Sequence, residues 1–99
     1  ADALADYAIL PIEDARSSYY LRVLVKDQPG VMADISLILA KHQISIKSMI
    51  QDPKDDNQAN IIFLLHQSRE GDVLDAIHQI EALPFVQSKV TQIRLEKLS

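Results

Sequence analysis

Polar and apolar positions switch period several times along the chain. Tyr19 to Lys26 alternates: Tyr19, Leu21, Val23 and Val25 share one side, and Tyr20, Arg22, Leu24 and Lys26 the other. Period two with β-branched residues predicts a strand with one buried face. From Val31 to His42 the period becomes 3.6, with Val31, Met32, Ile35, Ile38 and Leu39 in one stripe. That spacing predicts an amphipathic helix. Ala33, Leu37 and Ala40 form a thinner apolar line on its back, read either as helix-favouring filler or as a contact with another domain or subunit. Ile44 to Gln51 alternates again, with Ile44, Ile46, Ser48 and Ile50 predicted on one face and Ser45, Lys47, Met49 and Gln51 on the other.

The polar stretch Asp52 to Gln58 predicts a loop. Ala59 to His66 contains the unbroken run Ile61 to Leu65, as expected of a central strand buried on both faces. Ser68 is a candidate N-cap for a second helix, with Glu70 and Asp72 near its positive end. Val73, Ile77 and Ile80 form the stripe of that helix, helped by Leu74 and Ala76, and Pro84 ends it. Val86 to Leu98 is a last strand, with Thr91, Ile93 and Leu95 on one face.

The order β-α-β-β-α-β predicts an α+β, ferredoxin-like fold: a four-stranded antiparallel sheet with two helices on one face. The first and third strands should be central and the second an edge. An edge whose only strong charge is Lys47 invites a partner. The opposite sheet face, expected to carry Leu24, Met49, Ile62 and Leu64, is too apolar to stand bare. Residues 1–18 differ in character. Pro11 interrupts them, and they read as a connector that packs elsewhere in a longer protein or covers that face. The lack of an initiator methionine also suggests a piece of a longer chain.

Composition narrows the function. With 99 residues the chain is a single domain at most. A net charge of −4 and the absence of a Lys/Arg cluster argue against nucleic acid. Without cysteine there is no disulfide framework, and no apolar run reaches the length of a membrane span. A cytoplasmic location is the expectation. His42, His66 and His78 fall on three elements, so no joint metal site is expected, and no serine triad or dinucleotide fingerprint appears.

What stands out is the abrupt switch "KDQPGVMADI". Pro29 sets a bend, and Gly30 permits a tight turn or the close approach of a ligand. The free amides at Gly30, Val31, Met32 and Ala33, with the helix dipole, favour a carboxylate. Asp27 either pairs with an α-amino group or caps the helix.

The stretch from 19 to 51, "YYLRVLVKDQPGVMADISLILAKHQISIKSMIQ", resembles the ACT domain, a small-molecule regulatory module. "PIEDARSSYYLR", Pro11 to Arg22, and the second strand, Ile44 to Gln51, resemble most the C-terminal ACT domain of bacterial homoserine dehydrogenases. The resemblance runs over roughly residues 9 to 96, with residues 19–98 as the ACT domain. It implies a parent enzyme that interconverts aspartate semialdehyde and homoserine with NAD(P), towards threonine, methionine and isoleucine. The piece itself would hold no cofactor, catalyse nothing, and sense an amino acid, threonine first. It also implies a homodimer through the second-strand edge. The effector site would use Asp27, Gln28, Gly30, Val31 and Met32 of one chain and Ser48, Met49, Ile50 and Gln51 of its partner. ACT domains that bind amino acids often place an asparagine or a similar amide near the turn, where this chain offers Gln28. The alternatives are a module that only dimerises, or an ACT domain of another amino-acid enzyme.

Overall fold

The computed structural model describes residues 15–95. The elements are β1 (Arg16–Lys26), α1 (Val31–Lys41), β2 (Ile46–Pro53), β3 (Gln58–Leu65), a two-residue β4 (Ser68–Arg69), α2 (Glu70–Glu81) and β5 (Thr91–Leu95). The sheet runs β2-β3-β1, and β1 pairs on its other side with β5 and, at its start, with β4. Every pairing is antiparallel. The first and third strands are therefore central and β2 is an edge, as the hydropathy pattern implies. Residues 1–14 of the expected connector, and 96–98 of the expected last strand, lie outside the described residues.

The core forms where the period-two and period-3.6 patterns meet. Tyr19, Leu21, Val23 and Val25 of β1 and Ala59, Ile61, Phe63 and Leu65 of β3 are buried against Val31, Ile35 and Leu39 of α1 and Val73, Ala76, Ile77 and Ile80 of α2. Both helices thus cover one sheet face. A fully buried aliphatic or aromatic side chain contributes roughly 1.5–3 kcal/mol, so this layer supplies most of the folding drive.

Local signals set the element ends. α1 closes with Gln43 at φ 63°. The Gln43 amide donates to Ala40 O at 3.0 Å, and the Ile44 amide to Leu39 O at 3.0 Å. That is the Schellman arrangement, with buried Ile44 supplying its usual apolar contact. Glutamine takes the left-handed position that glycine occupies most easily. β1 begins at Arg16, three residues ahead of the Tyr19 start that alternation suggested, because Arg16 and Ser17 pair with Arg69 and Ser68.

Several expectations are corrected. Ser68 does not cap α2: it sits in β4, and its hydroxyl donates to His66 O at 2.9 Å, while Arg69 takes the cap position. Leu74 is exposed rather than part of the α2 stripe. α2 ends at Glu81, before Pro84, and Val86 makes only an isolated bridge with Val25 before β5 starts at Thr91.

The largest correction concerns β2. Ile46 faces Leu65, but Ser48 already faces Leu64, so Lys47 is an extra residue. Such a bulge reverses the side on which every later residue points. Met49 and Gln51, opposite buried Phe63 and Ile61, lie on the helix face, while Ser48 and Ile50 lie on the open face with Leu64 and Ile62. Ile46 and Ile50 therefore do not share a face, and Met49 does not join Leu24, Ile62 and Leu64.

One polar contact ties the layers together. The buried Tyr19 hydroxyl donates to Glu70 Oε1 at 2.6 Å, with Arg94 of β5 at 4.0 Å from the same carboxylate. Burial first, then the bond to Glu70, pushes the phenol up to about 12. A raised folded-state value keeps its stabilisation whole below the ordinary tyrosine value of 10 and loses it as pH climbs towards 12. Tyr19→Phe should lower stability by about 1–2 kcal/mol at neutral pH. Denaturant melts should also show a smaller loss between pH 10 and 12 for Tyr19→Phe than for the parent chain.

Candidate functional site

The candidate site is built where β1 hands over to α1. The amide of Lys26 donates to Phe85 O at 2.9 Å and that of Asp27 to Asn57 O at 2.7 Å, which pins the end of β1 between two loops. Asp56 and Asn57 reach this position through positive φ angles of 62° and 58°. Pro29 and Gly30 then turn the chain. Gly30 has φ 88° and ψ −9°, the third-position geometry of a type II turn, which suits glycine after proline. A Cβ on Gly30 would meet nothing within 4 Å, so within one chain the requirement is backbone conformation rather than crowding.

Gly30 is also the N-cap residue of α1. Its carbonyl accepts the Asp34 amide at 2.9 Å, and no side chain caps the helix. The amides of Val31, Met32 and Ala33 therefore have no partner within the helix, and they carry the positive end of its dipole. Asp34 in the first turn partly offsets that dipole, but it does not line the cavity described next.

A concavity of about 270 Å³ opens at this junction, lined by Asp27, Gln28, Pro29, Gly30, Val31, Met32 and Ala33 together with Lys26 and Gln51. Val25 and Ile61 complete the apolar part of the lining. The volume lies just under the ~300–1,000 Å³ usual for drug-sized ligands, which suits something as small as an amino acid. The Gln51 carboxamide donates to Asp27 Oδ1 at 3.3 Å. The site thus offers a carboxylate, a carboxamide and helix-start amides within one small space.

Of the residues singled out from sequence, the structure brings together Asp27, Gln28, Gly30, Val31, Met32 and Gln51. Gln51 reaches the site of its own chain, a placement the β2 bulge makes possible. Within one chain Ser48, Met49 and Ile50 do not line the cavity. Ser48 and Ile50 face the open side, and Met49 Sδ accepts a 3.7 Å hydrogen bond from Ser36 Oγ. Sequence reasoning did not include Lys26, Val25 or Ile61 in the site. Val25 and Ile61 follow only from the β1–β3 register, whereas the charge of Lys26 beside Asp27 was a visible signal. His42 follows α1, His66 follows β3 and His78 lies in α2, and no group of three metal-ligating side chains forms among the described residues. No helix among them is long and apolar enough to cross a membrane.

Comparison with known proteins gives concordant results. The ACT domain model matches residues 19–82. The homoserine dehydrogenase of Methylobacillus glycogenes is 50% identical over 100 residues, covering 99% of this chain and 24% of that protein. The homoserine dehydrogenase of Pseudomonas aeruginosa is 42% identical over 100 residues, covering 99% of this chain and 23% of that protein. The chain therefore spans about a quarter of the length of these curated relatives. A crystal structure of a homoserine dehydrogenase from Thiobacillus denitrificans superposes with a TM-score of 0.81 at 48% identity, over 91% of this chain and 20% of that one. The ACT domain from the GTP pyrophosphokinase of Chlorobium tepidum has a TM-score of 0.65 at 11% identity, over 80% of this chain and 100% of that one. At that identity the likeness speaks for the fold alone.

Gly30→Ala should lower stability by about 1–2 kcal/mol through its positive φ, with no steric component. Gly30→Asn should lose less, because asparagine tolerates the left-handed region. Urea midpoints of the three proteins check this; equal losses for alanine and asparagine would point to contact rather than conformation.

Proposed function

The chain belongs to the ACT domain family, and from that premise we propose that it is the C-terminal regulatory domain of a homoserine dehydrogenase that senses an amino acid. The remainder of such an enzyme, with its NAD(P) site, interconverts aspartate semialdehyde and homoserine; this piece catalyses nothing. Threonine is the first candidate effector, ahead of methionine and isoleucine, the other products of that route, and the site works in the cytoplasm. The identity shared with homoserine dehydrogenases across almost the whole chain supports the parent.

The observation that carries the sensing role is the small cavity at the start of α1. An α-amino acid presents a carboxylate and an ammonium a short distance apart. The uncapped amides of Val31, Met32 and Ala33 receive the carboxylate. The Asp27 carboxylate receives the ammonium, releasing the Gln51 carboxamide to bind the carboxylate or a side-chain hydroxyl. Met32 and the neighbouring apolar wall set the size of side chain that fits.

In this reading two copies associate through the β2 edges and bring Ser48, Met49, Ile50 and Gln51 of one towards Asp27 to Met32 of the other. The edge is exposed along most of its length, with Met49 at 40% and Ile50 at 56% accessibility, which supports a partner there. The same observation favours a second reading, a module that only holds subunits together. An effector then acts only to the extent that it binds two states of the assembly with different affinity.

Thermal unfolding with and without amino acids separates the readings. Millimolar threonine should raise Tm by several degrees, since about 1 kcal/mol of linkage moves a domain of this size by ~4–8 °C. Asp27→Asn should abolish the shift. No shift with threonine, methionine or isoleucine, in a sample that remains dimeric, would leave the dimerisation reading. Met49→Asp should yield monomers by sedimentation; a monomeric parent chain would remove the interface from both.

A further inference from the structure

The open sheet face is polar at the end where β2 turns into β3. The registers place Leu24 opposite Asn60 and Arg22 opposite Thr91, on the face away from buried Val23 and Val25. These four side chains line a concavity of about 460 Å³. The connection between β2 and β3 adds Asp55 and Asp56 to the lining, and the stretch before β5 adds Ser88 and Lys89. None of its lining residues takes part in the cavity at the start of α1.

Backbone bonds pin both flanks of this hollow. On the acidic flank the Lys54 amide donates to Gln58 O at 2.7 Å, and the Gln58 amide to Asp55 O at 3.3 Å. On the other flank the Gln87 amide donates to Leu24 O at 2.8 Å, and the Val90 amide to Glu81 Oε2 at 2.7 Å. β3 and β5 lie on opposite sides of β1, so the width of β1 separates the flanks. Two strand spacings of about 4.8 Å make that roughly 10 Å.

The charges are divided in the same way. Lys54 is paired with Asp52 at 3.1 Å. Asp55 and Asp56 on one flank, and Arg22 and Lys89, enter no ion pair among the described residues. Arg22 Nη2 instead donates to Thr91 Oγ1 at 3.5 Å, which puts the guanidinium on the β5 side. Opposite charges therefore line one hollow without neutralising each other, over a floor of Leu24 and Asn60.

We propose that this hollow binds an elongated zwitterion, its ammonium taken by Asp55 and Asp56 and its carboxylate by Arg22 and Lys89. A plain anion would meet two carboxylates, and a plain cation would meet a guanidinium and an ammonium. A short α-amino acid holds its charges too close together to reach both flanks. A six-carbon ω-amino acid in extended form spans about 7 Å, the reach of two residues. Basic amino acids and short peptides share this chemistry. The site is separate from the effector cavity and does not depend on the reading of that cavity.

Amide and Arg22 side-chain NMR signals of the 99-residue protein, titrated with 6-aminohexanoate, test this. Saturable shifts should appear at Asp55, Asp56, Lys89 and Arg22, with Val31 and Met32 unmoved. Hexanoate, hexylamine and glycine should each bind at least about fivefold more weakly, the worth of one exposed charge pair. Arg22→Gln should weaken 6-aminohexanoate to a similar extent, as should Asp55→Asn with Asp56→Asn, in which asparagine keeps the positive φ at position 56. Lysine and triglycine then divide the two sources, and the tighter of them names the class. Absence of saturable shifts would overturn the proposal. So would equal binding of hexanoate or hexylamine, or affinity unchanged in variants whose core spectrum is intact.

Discussion

A single extra residue, Lys47, sets the chemistry of this domain. Because β2 pairs with β3 through a bulge, Ile46 enters the helix side, and two positions later Ser48 points away from it. The inversion persists to the end of the strand. Without it Gln51 would lie on the open face, out of reach of Asp27. With it, the Gln51 carboxamide bonds Asp27 and Gln51 lines the cavity at the start of α1. The same inversion sends Ile50 to the open face, opposite Ile62. One local irregularity thus decides which side chains β2 shows on each face of the sheet.

The bulge is effective because what it pairs with is rigid. β1 and β3 share a seven-pair register from Tyr20–Leu64 to Lys26–Gln58. A slip of one residue would expose every core side chain on one strand. Burial of Leu21, Val23, Phe63 and Ile61 against both helices holds that register. The end of β1 is pinned by Phe85 and Asn57, so the turn at Pro29–Gly30 begins from a fixed point and aims α1 into the sheet. The three uncapped amides are therefore preorganised, and a ligand need not order them on binding.

Much of this was legible from sequence because strong periodicity coincides with real burial. The β1 alternation, the α1 stripe and the run Ile61 to Leu65 all predicted their elements and the central position of β1 and β3. Two of the failures share a cause: they depend on a partner strand. Ile46, Ser48 and Ile50 look like one face until β3 shows Lys47 to be extra. Ser68 looks like a helix cap until β4 pairs it with Ser17. The turn was legible, since Pro29-Gly30 before an apolar stripe is a local signal. That Gln51 joins the turn of its own chain was not, because the contact spans 24 residues and depends on the bulge.

The central claim is that the start of α1, with Asp27 opposite, receives the two charged ends of an amino acid. An amide NMR titration with threonine tests it most directly, with threoninol, which lacks the carboxylate, as the control. The account predicts saturable shifts at Val31, Met32 and Ala33 and at the Gln51 carboxamide with threonine, and none of comparable size with threoninol. Saturable threonine binding whose shifts cluster elsewhere, or equal shifts from both compounds, would contradict it.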